Sequence, residues 1–136
     1  MLLQPEKCLV SACLVGLCTR YDGRENPSCL HRLADLFWIP VCPEQLGGLP
    51  TPRAPAVLIG GDGHAVLAGM ARVRDQNGRD VSAEFIRGAT MVLALARAHG
   101  IRRCFLKAGS PSCGLGPRPG VTAALLLAHG IEVVSL

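Results

Sequence analysis

Three cysteines lie beyond short apolar runs that have the character of buried strands. Cys13 directly follows the run at residues 9–12, and Cys42 directly follows the run at residues 38–41. Cys113 stands a few residues after a third run, at residues 104–106. Parallel strands end at one edge of a sheet, which is where α/β proteins bind ligands. This placement allows the three thiols to meet in one pocket, although cysteine also serves often as a buried packing residue.

Three thiolates in one pocket suit a soft metal centre with an open position, either an iron–sulfur cluster or zinc. The chain has no Cys-x-x-Cys pair, which disfavours zinc-ribbon and thioredoxin-type sites. Glu44 stands two residues beyond Cys42 and is a candidate general acid or base beside the metal. Ser110, three residues before Cys113, is a candidate for orienting a ligand by hydrogen bonding.

The sequence contains seven cysteines, and four of them stand outside this pattern. Cys8 and Cys104 lie inside apolar runs, so we expect them to fill the core. Cys29 precedes a short predicted helix, and we expect it also to be structural. Cys18 lies five residues past Cys13 in the same loop, where a spare thiol and a further ligand are both open interpretations.

Other polar residues have simpler interpretations. Arg53 lies in a Pro- and Gly-rich loop, where we expect it to be solvated; contact with an anionic or carbonyl group is the alternative. Asp22 follows Arg20-Tyr21 and precedes Gly23, which favours a turn, with a pocket carboxylate as the second interpretation. The glycines at residues 60–63 lack the spacing of a nucleotide phosphate loop. We expect the four histidines to lie on the surface: His31, His64, His99 and His129.

Composition limits the class of protein. The 136 residues are 49% hydrophobic and 18% charged, which predicts one folded domain over residues 1–136 and excludes a solvated disordered chain. Aromatic residues make up 4% and the net charge is +4, so nucleic acid is not an expected partner. Residues 1–6 lack the pattern of a secretory signal, and no apolar run is long enough for a membrane span. We therefore expect a cytoplasmic monomer or homodimer, whose reduced cysteines favour metal or catalytic use.

The periodicity predicts strands and helices in alternation. Apolar spacing predicts a helix that begins after Asp80 or Ser82 and ends at Gly100, and a second from residue 121 to His129. It also predicts a short helix at residues 30–37, a long loop at residues 43–55, and a hairpin built from residues 57–59 and 65–73. Pro40 predicts an irregular or edge strand at residues 38–41. Strands alternating with helices predict an α/β fold with a mostly parallel sheet.

Several motifs together resemble the TudS-like family of 2-thiouracil desulfurases, short bacterial proteins. The resemblance runs from about Cys8 to Leu136. The motifs that carry it are Leu9-Val10-Ser11-Ala12-Cys13-Leu14, Arg20-Tyr21-Asp22-Gly23, Val41-Cys42-Pro43-Glu44, Gly47-Gly48-Leu49-Pro50-Thr51-Pro52-Arg53, Ser110-Pro111-Ser112-Cys113-Gly114 and Gly120-Val121-Thr122-Ala123-Ala124-Leu125-Leu126.

The resemblance implies a Rossmann-like fold that holds a [4Fe-4S] cluster through Cys13, Cys42 and Cys113, with the fourth iron free. It implies Glu44 and Ser110 as the catalytic pair. The implied reaction converts a thiolated pyrimidine such as 2-thiouracil to its oxo form with release of hydrogen sulfide, without net electron transfer, so the enzyme would be a hydrolase-type desulfidase. The alternative is a zinc- or cluster-binding module that senses sulfur or redox state without turnover.

The chain departs from the family pattern between Cys113-Gly114 and Gly120. Only residues 115–119 lie there, where relatives generally carry a longer Gly-rich stretch. A shorter loop beside the third cysteine is expected to open the pocket or to change its substrate, while leaving the predicted cluster ligands in place.

Overall fold

A parallel four-stranded sheet and a small antiparallel sheet form the framework of the chain. The computed structural model describes residues 5–25 and 27–136, so part of the segment tested for a secretory signal, Met1–Gln4, lies outside the described residues. The strands are β1 (Lys7–Ser11), β2 (Phe37–Val41), β3 (Ala56–Ile59), β4 (Arg72–Asp75), β5 (Arg103–Leu106) and β6 (Glu132–Ser135). The helices are α1 (Pro43–Leu46), α2 (Gly63–Leu67), α3 (Ser82–Ala98) and α4 (Val121–Ala128).

The main sheet has the strand order β2-β1-β5-β6, and every pairing in it is parallel. This confirms the predicted mostly parallel α/β architecture. β2 lies at the edge, where Pro40 pairs in register with Val10 and the missing N–H of proline is tolerated. The three strands that precede the candidate cysteines are thus adjacent, and their carboxyl ends share one edge.

Apolar side chains cover both faces of this sheet. On one face, Leu9 and Leu106 pack with Val92 of α3 and Leu126 of α4, all buried. On the other face, Val10 packs with Leu14 and Leu33, which belong to the long connection between β1 and β2. The sheet is therefore held rigidly from both sides, as a site at its edge requires.

The hairpin prediction is right for the strand pairing and wrong for its second arm. β3 pairs antiparallel with β4, but residues 65–73 are not one strand, because α2 occupies Gly63–Leu67. Asp62 starts this helix, since its side chain accepts the N–H of Ala65 at 3.0 Å. Gly69, at φ +77°, then turns the chain toward β4.

Two further local predictions are wrong. The helix predicted at residues 30–37 is only a 3-10 turn at Leu30–Arg32, because Phe37 enters β2 and pairs with Lys7. One helical turn fixes many dihedrals for few hydrogen bonds, so sheet pairing wins. The loop predicted at residues 43–55 begins with α1, which Pro43 favours through its fixed φ.

The two long helices are confirmed with small shifts at their ends. The N-cap position of α3 is Val81 rather than Asp80 or Ser82, although Asp80 still accepts the N–H of Ser82 at 2.9 Å. Gly100 follows α3 at φ +63° and ends it, as predicted. No helix in the described part of the chain is long and apolar enough to cross a membrane.

Candidate functional site

Three loops at the carboxyl edge of the main sheet surround one cavity of about 290 Å³. Cys13 lies in the 3-10 turn after β1, Cys42 joins β2 to α1, and Cys113 lies between β5 and α4. All three line the cavity, together with Glu44 and Ser110. The tertiary structure thus brings together all five residues that the sequence singled out.

Cys13 and Cys113 lie in a setting that disfavours their thiolates. Burial raises the pKa of Cys13, and the nearby Cys42 raises it further. Burial raises the pKa of Cys113 to about 12, although the neighbouring Ser11 and Ser112 hydroxyls act to lower it. Cysteine binds a metal as the thiolate. A positively charged metal centre in the cavity would lower the pKa of these thiols and so offset the effect of burial.

Cys42 has polar neighbours from two other segments of the chain. Its Sγ lies 3.8 Å from the carbonyl oxygen of Thr19, toward which the thiol donates, and 4.0 Å from a guanidinium nitrogen of Arg53. Thr19 itself lies on the loop that follows Cys13, so the contact ties the first and second cysteine segments together.

Glu44 is held from two sides at the cavity wall. Its Oε1 accepts a hydrogen bond from Arg53 Nε at 2.9 Å, and its Oε2 accepts one from Ser112 Oγ at 3.1 Å. The side chain is 14% exposed. A carboxylate has about four acceptor sites. These two bonds therefore leave acceptor capacity for a bound ligand or water.

The expectation that Arg53 is solvated is wrong, and its alternative, contact with an anionic or carbonyl group, is confirmed. The Arg53 side chain is only 7% exposed, not solvated, and it reaches the carbonyl oxygen of Thr19 at 2.9 Å and Thr51 Oγ1 at 2.7 Å as well as Glu44. Thr19 and Glu44 lie 34 and 9 positions before Arg53, so the Pro- and Gly-rich loop by itself could not show which groups Arg53 would contact.

Ser110 and Ser112 organise the turn that carries Cys113. Ser110 Oγ accepts the backbone N–H groups of Ser112 at 3.1 Å and Cys113 at 3.2 Å. Ser112 Oγ lies 2.9 Å from Ser110 Oγ and 3.6 Å from Cys113 Sγ. The sequence reasoning singled out Ser110 and missed Ser112, whose signal was its place in the same short motif. Lys107, which also lines the cavity, was missed too.

The remaining cysteines and histidines largely follow expectation. Cys8 and Cys104 are fully buried core residues, and Cys29 packs half-buried beside Leu14. Cys18 is exposed, and its role stays open. Asp22 forms a turn, because it pairs with Arg20 at 3.2 Å and accepts the N–H of Arg24. The four histidines are exposed, as predicted: His31, His64, His99 and His129.

The short loop at residues 115–119 docks on the N-terminal end of α2. The carbonyl oxygen of Pro119 accepts the N–H of Gly63 at 2.7 Å, and Arg118 donates to the carbonyl oxygen of Gly61 at 2.7 Å. Gly120 closes the loop by donating to Gly114 at 2.7 Å. Its effect on substrate choice stays a prediction.

Comparisons with known proteins agree on one family. The family model described as 2-thiouracil desulfurase matches residues 8–136. An uncharacterized protein of Bacillus subtilis (strain 168), YbbK, is 40% identical over 141 aligned positions that cover 93% of each chain. A solved structure described as a [4Fe-4S]-dependent thiouracil desulfidase, TudS, is 43% identical, with a TM-score of 0.81, over 96% of this chain and 90% of that chain.

Proposed function

Because this chain belongs to the 2-thiouracil desulfurase family, we propose that it is an iron–sulfur enzyme that removes sulfur from a thiolated pyrimidine. The substrate would be 2-thiouracil or a close relative, and the products would be the oxo base and hydrogen sulfide. The observation that carries the proposal is the cavity at the sheet edge, which three cysteines, one glutamate and one serine line together. The similarity to the [4Fe-4S]-dependent desulfidase supports the cofactor.

The donor set fits a [4Fe-4S] cluster. Three cysteine thiols line the cavity, at the ends of three adjacent strands, and cysteine sulfur is the ligand that iron–sulfur clusters take. Cys13, Cys42 and Cys113 would hold the cluster. With three protein ligands the cluster supplies one open iron, a Lewis acid with affinity for sulfur.

Glu44 would handle the protons of water. In the proposed reaction, water adds to the carbon that carries sulfur and the carbon–sulfur bond then breaks. Sulfur leaves as sulfide and takes up the two protons of that water to give hydrogen sulfide, so the oxidation state of the carbon does not change. Glu44 accepts the proton that water loses, using acceptor sites that Arg53 and Ser112 leave free. Arg53 keeps the carboxylate oriented toward the cavity. Ser110, also on the cavity wall, would contact the pyrimidine and limit its orientation.

Iron content tests the ligand assignment. Protein reconstituted anaerobically should carry about four irons and four sulfides per chain. Cys13→Ala, Cys42→Ala and Cys113→Ala should each lose the cluster, because each removes one thiolate from the cavity. Cys104→Ala is the matched control, a buried core cysteine that should leave iron content unchanged. Stoichiometric zinc without iron after this treatment would contradict the proposal.

Sulfide release tests turnover. The reconstituted wild-type protein should release sulfide from one or more members of a panel of thiopyrimidines under anaerobic conditions. Glu44→Gln should keep the iron and lose about 10²-fold or more of the rate. Glu84→Gln, which alters another partly buried carboxylate, should keep both. A cluster-loaded protein without turnover on the whole panel would instead support the sensing module.

A further inference from the structure

We propose that Ser112 is a positioning residue that holds Glu44 and Ser110 together as one hydrogen-bonded unit at the cavity wall. The inference rests on the proposed function, in which Glu44 and Ser110 act on the substrate. That function assigns Ser112 no role beyond its hydrogen bond to Glu44. Its side chain is 1% exposed, yet its hydroxyl lies within hydrogen-bonding range of three groups that belong to the site.

The direction of the hydrogen bonds follows from counting protons. The Ser112 hydroxyl carries one proton, and its neighbours are Glu44 Oε2 at 3.1 Å, Ser110 Oγ at 2.9 Å and Cys113 Sγ at 3.6 Å. A carboxylate is the strongest acceptor of the three, so Ser112 donates to Glu44. Its lone pair then accepts the proton of Ser110.

The single proton of the Ser110 hydroxyl fixes the direction of its hydrogen bond in the same way. Its oxygen already accepts the backbone N–H groups of Ser112 and Cys113, so its own proton is what it offers to Ser112 Oγ. A directional chain therefore runs from Ser110 through Ser112 to Glu44. Without the Ser112 hydroxyl, the carboxylate loses the hydrogen bond to Oε2 and keeps the one from Arg53 to Oε1.

The backbone of Ser112 performs the structural work separately. Its carbonyl oxygen accepts the N–H groups of Thr122 at 2.9 Å and Ala123 at 3.1 Å, which fastens the cysteine-bearing turn to the first turn of α4. Replacing the side chain leaves these bonds intact. Loss of the hydroxyl should thus disturb the alignment of the reacting groups without releasing Cys113, and misalignment of about 1 Å can cost about 10²-fold in rate.

The first test uses the cluster-loaded holoprotein and 2-thiouracil. Ser112→Ala should lower kcat for sulfide release by about 10²-fold, while KM and iron content stay within about twofold of wild type. Ser112→Thr retains the hydroxyl and should recover most of kcat. Ser110→Ala combined with Ser112→Ala should fall no further than the worse single variant, because residues that act as one unit are not additive.

Ser82→Ala is the matched control. Ser82 is another buried serine, 1% exposed, whose hydroxyl accepts the N–H of Val73 at 2.8 Å far from the cysteine segments in sequence. This variant should keep wild-type kcat. If Ser112→Ala lost iron together with kcat, the role of Ser112 would be structural and the inference would be overturned. A kcat within about twofold of wild type would overturn it as well.

An infrared measurement separates this inference from the proposed function. The difference spectrum between wild type and Glu44→Gln isolates the carboxylate bands of Glu44 in the holoprotein. Ser112→Ala should shift these bands, since it removes a donor from Oε2, and Ser82→Ala should not. If the wild type released no sulfide, the proposed function would fail. The Glu44 carboxylate bands would still test the hydrogen bond from Ser112 to Glu44. Unshifted bands in Ser112→Ala would overturn the inference even in an active enzyme.

Discussion

Replacing Arg53 with Met should destabilise the chain far more than removal of an ordinary surface charge. Arg53 Nε lies 2.9 Å from Glu44 Oε1, and the two side chains are 7% and 14% exposed. Arg53→Met retains most of the side-chain length and leaves the carboxylate without its charged partner. Breaking a buried ion pair from one side costs about 3–5 kcal/mol, against about 0–1 kcal/mol for an exposed pair. We expect a loss in the first range.

Urea unfolding of the reduced, cluster-free chain measures this loss. Trp38, the single tryptophan of the sequence, lies on β2 and packs on the core beneath the sheet, so its fluorescence reports unfolding. Arg72→Met is the matched control. Arg72 lies 3.5 Å from Asp80 with side chains 59% and 42% exposed, so that variant should lose less than about 1 kcal/mol.

A double-mutant cycle decides whether the pair itself carries the effect. Arg53→Met leaves the Glu44 carboxylate without its charged partner, and Glu44→Gln removes that charge. The double variant should therefore lose less stability than the sum of the two single variants, by more than about 1 kcal/mol. Additive costs would refute the reasoning. A loss below about 1 kcal/mol in Arg53→Met alone would refute it as well.

Two further predictions concern packing and pH. Gly88→Ala should lower the free energy of unfolding in urea by about 1–3 kcal/mol, because a Cβ there would overlap the carbonyl oxygen of Pro43 and push α1 away from α3. The control Gly116→Ala, where a Cβ would meet open space, should be near neutral. Equal losses in the two variants would contradict this. Burial raises the pKa of Cys104 from 9.0 to about 12. The protonated thiol thus contributes stability that is present below about pH 9 and is lost as the pH rises toward about 12. Between about pH 8 and about pH 10, the wild type should lose about 1.4 kcal/mol more than Cys104→Ala, and parallel pH slopes would contradict this.

Most of the fold could be predicted because its long elements carry strong local signals. The apolar stripe of α3 and its terminating Gly100 need no partner to be recognised, and the alternation of strands with helices predicts parallel pairing. The errors fall on short segments. At residues 30–37 the apolar spacing predicts a helix, but Phe37 pairs with β1 instead. That pairing exists only once the sheet has folded. At α2 the apolar run predicts a strand, but Asp62 caps a helix there.

The candidate site divides in a similar way. Cys13, Cys42, Cys113, Glu44 and Ser110 could be singled out because residue type and position at strand ends point to chemistry. The contact of Arg53 with an anionic or carbonyl group is only the second interpretation of the sequence, and Ser112 is not singled out, because their functions depend on partners brought together by folding. Glu44 lies 68 positions before Ser112, and no local pattern links them.

The sequence by itself determined which residue types stand at the ends of which strands, because that follows from local apolar runs and the residues next to them. The tertiary structure alone decided that β2, β1 and β5 lie side by side, since strand order is set by long-range pairing and core packing. That order brings the three cysteine segments around one cavity. It also buries Arg53 and Ser112 against Glu44, because a hydrogen bond between distant segments exists only once the sheet has aligned them.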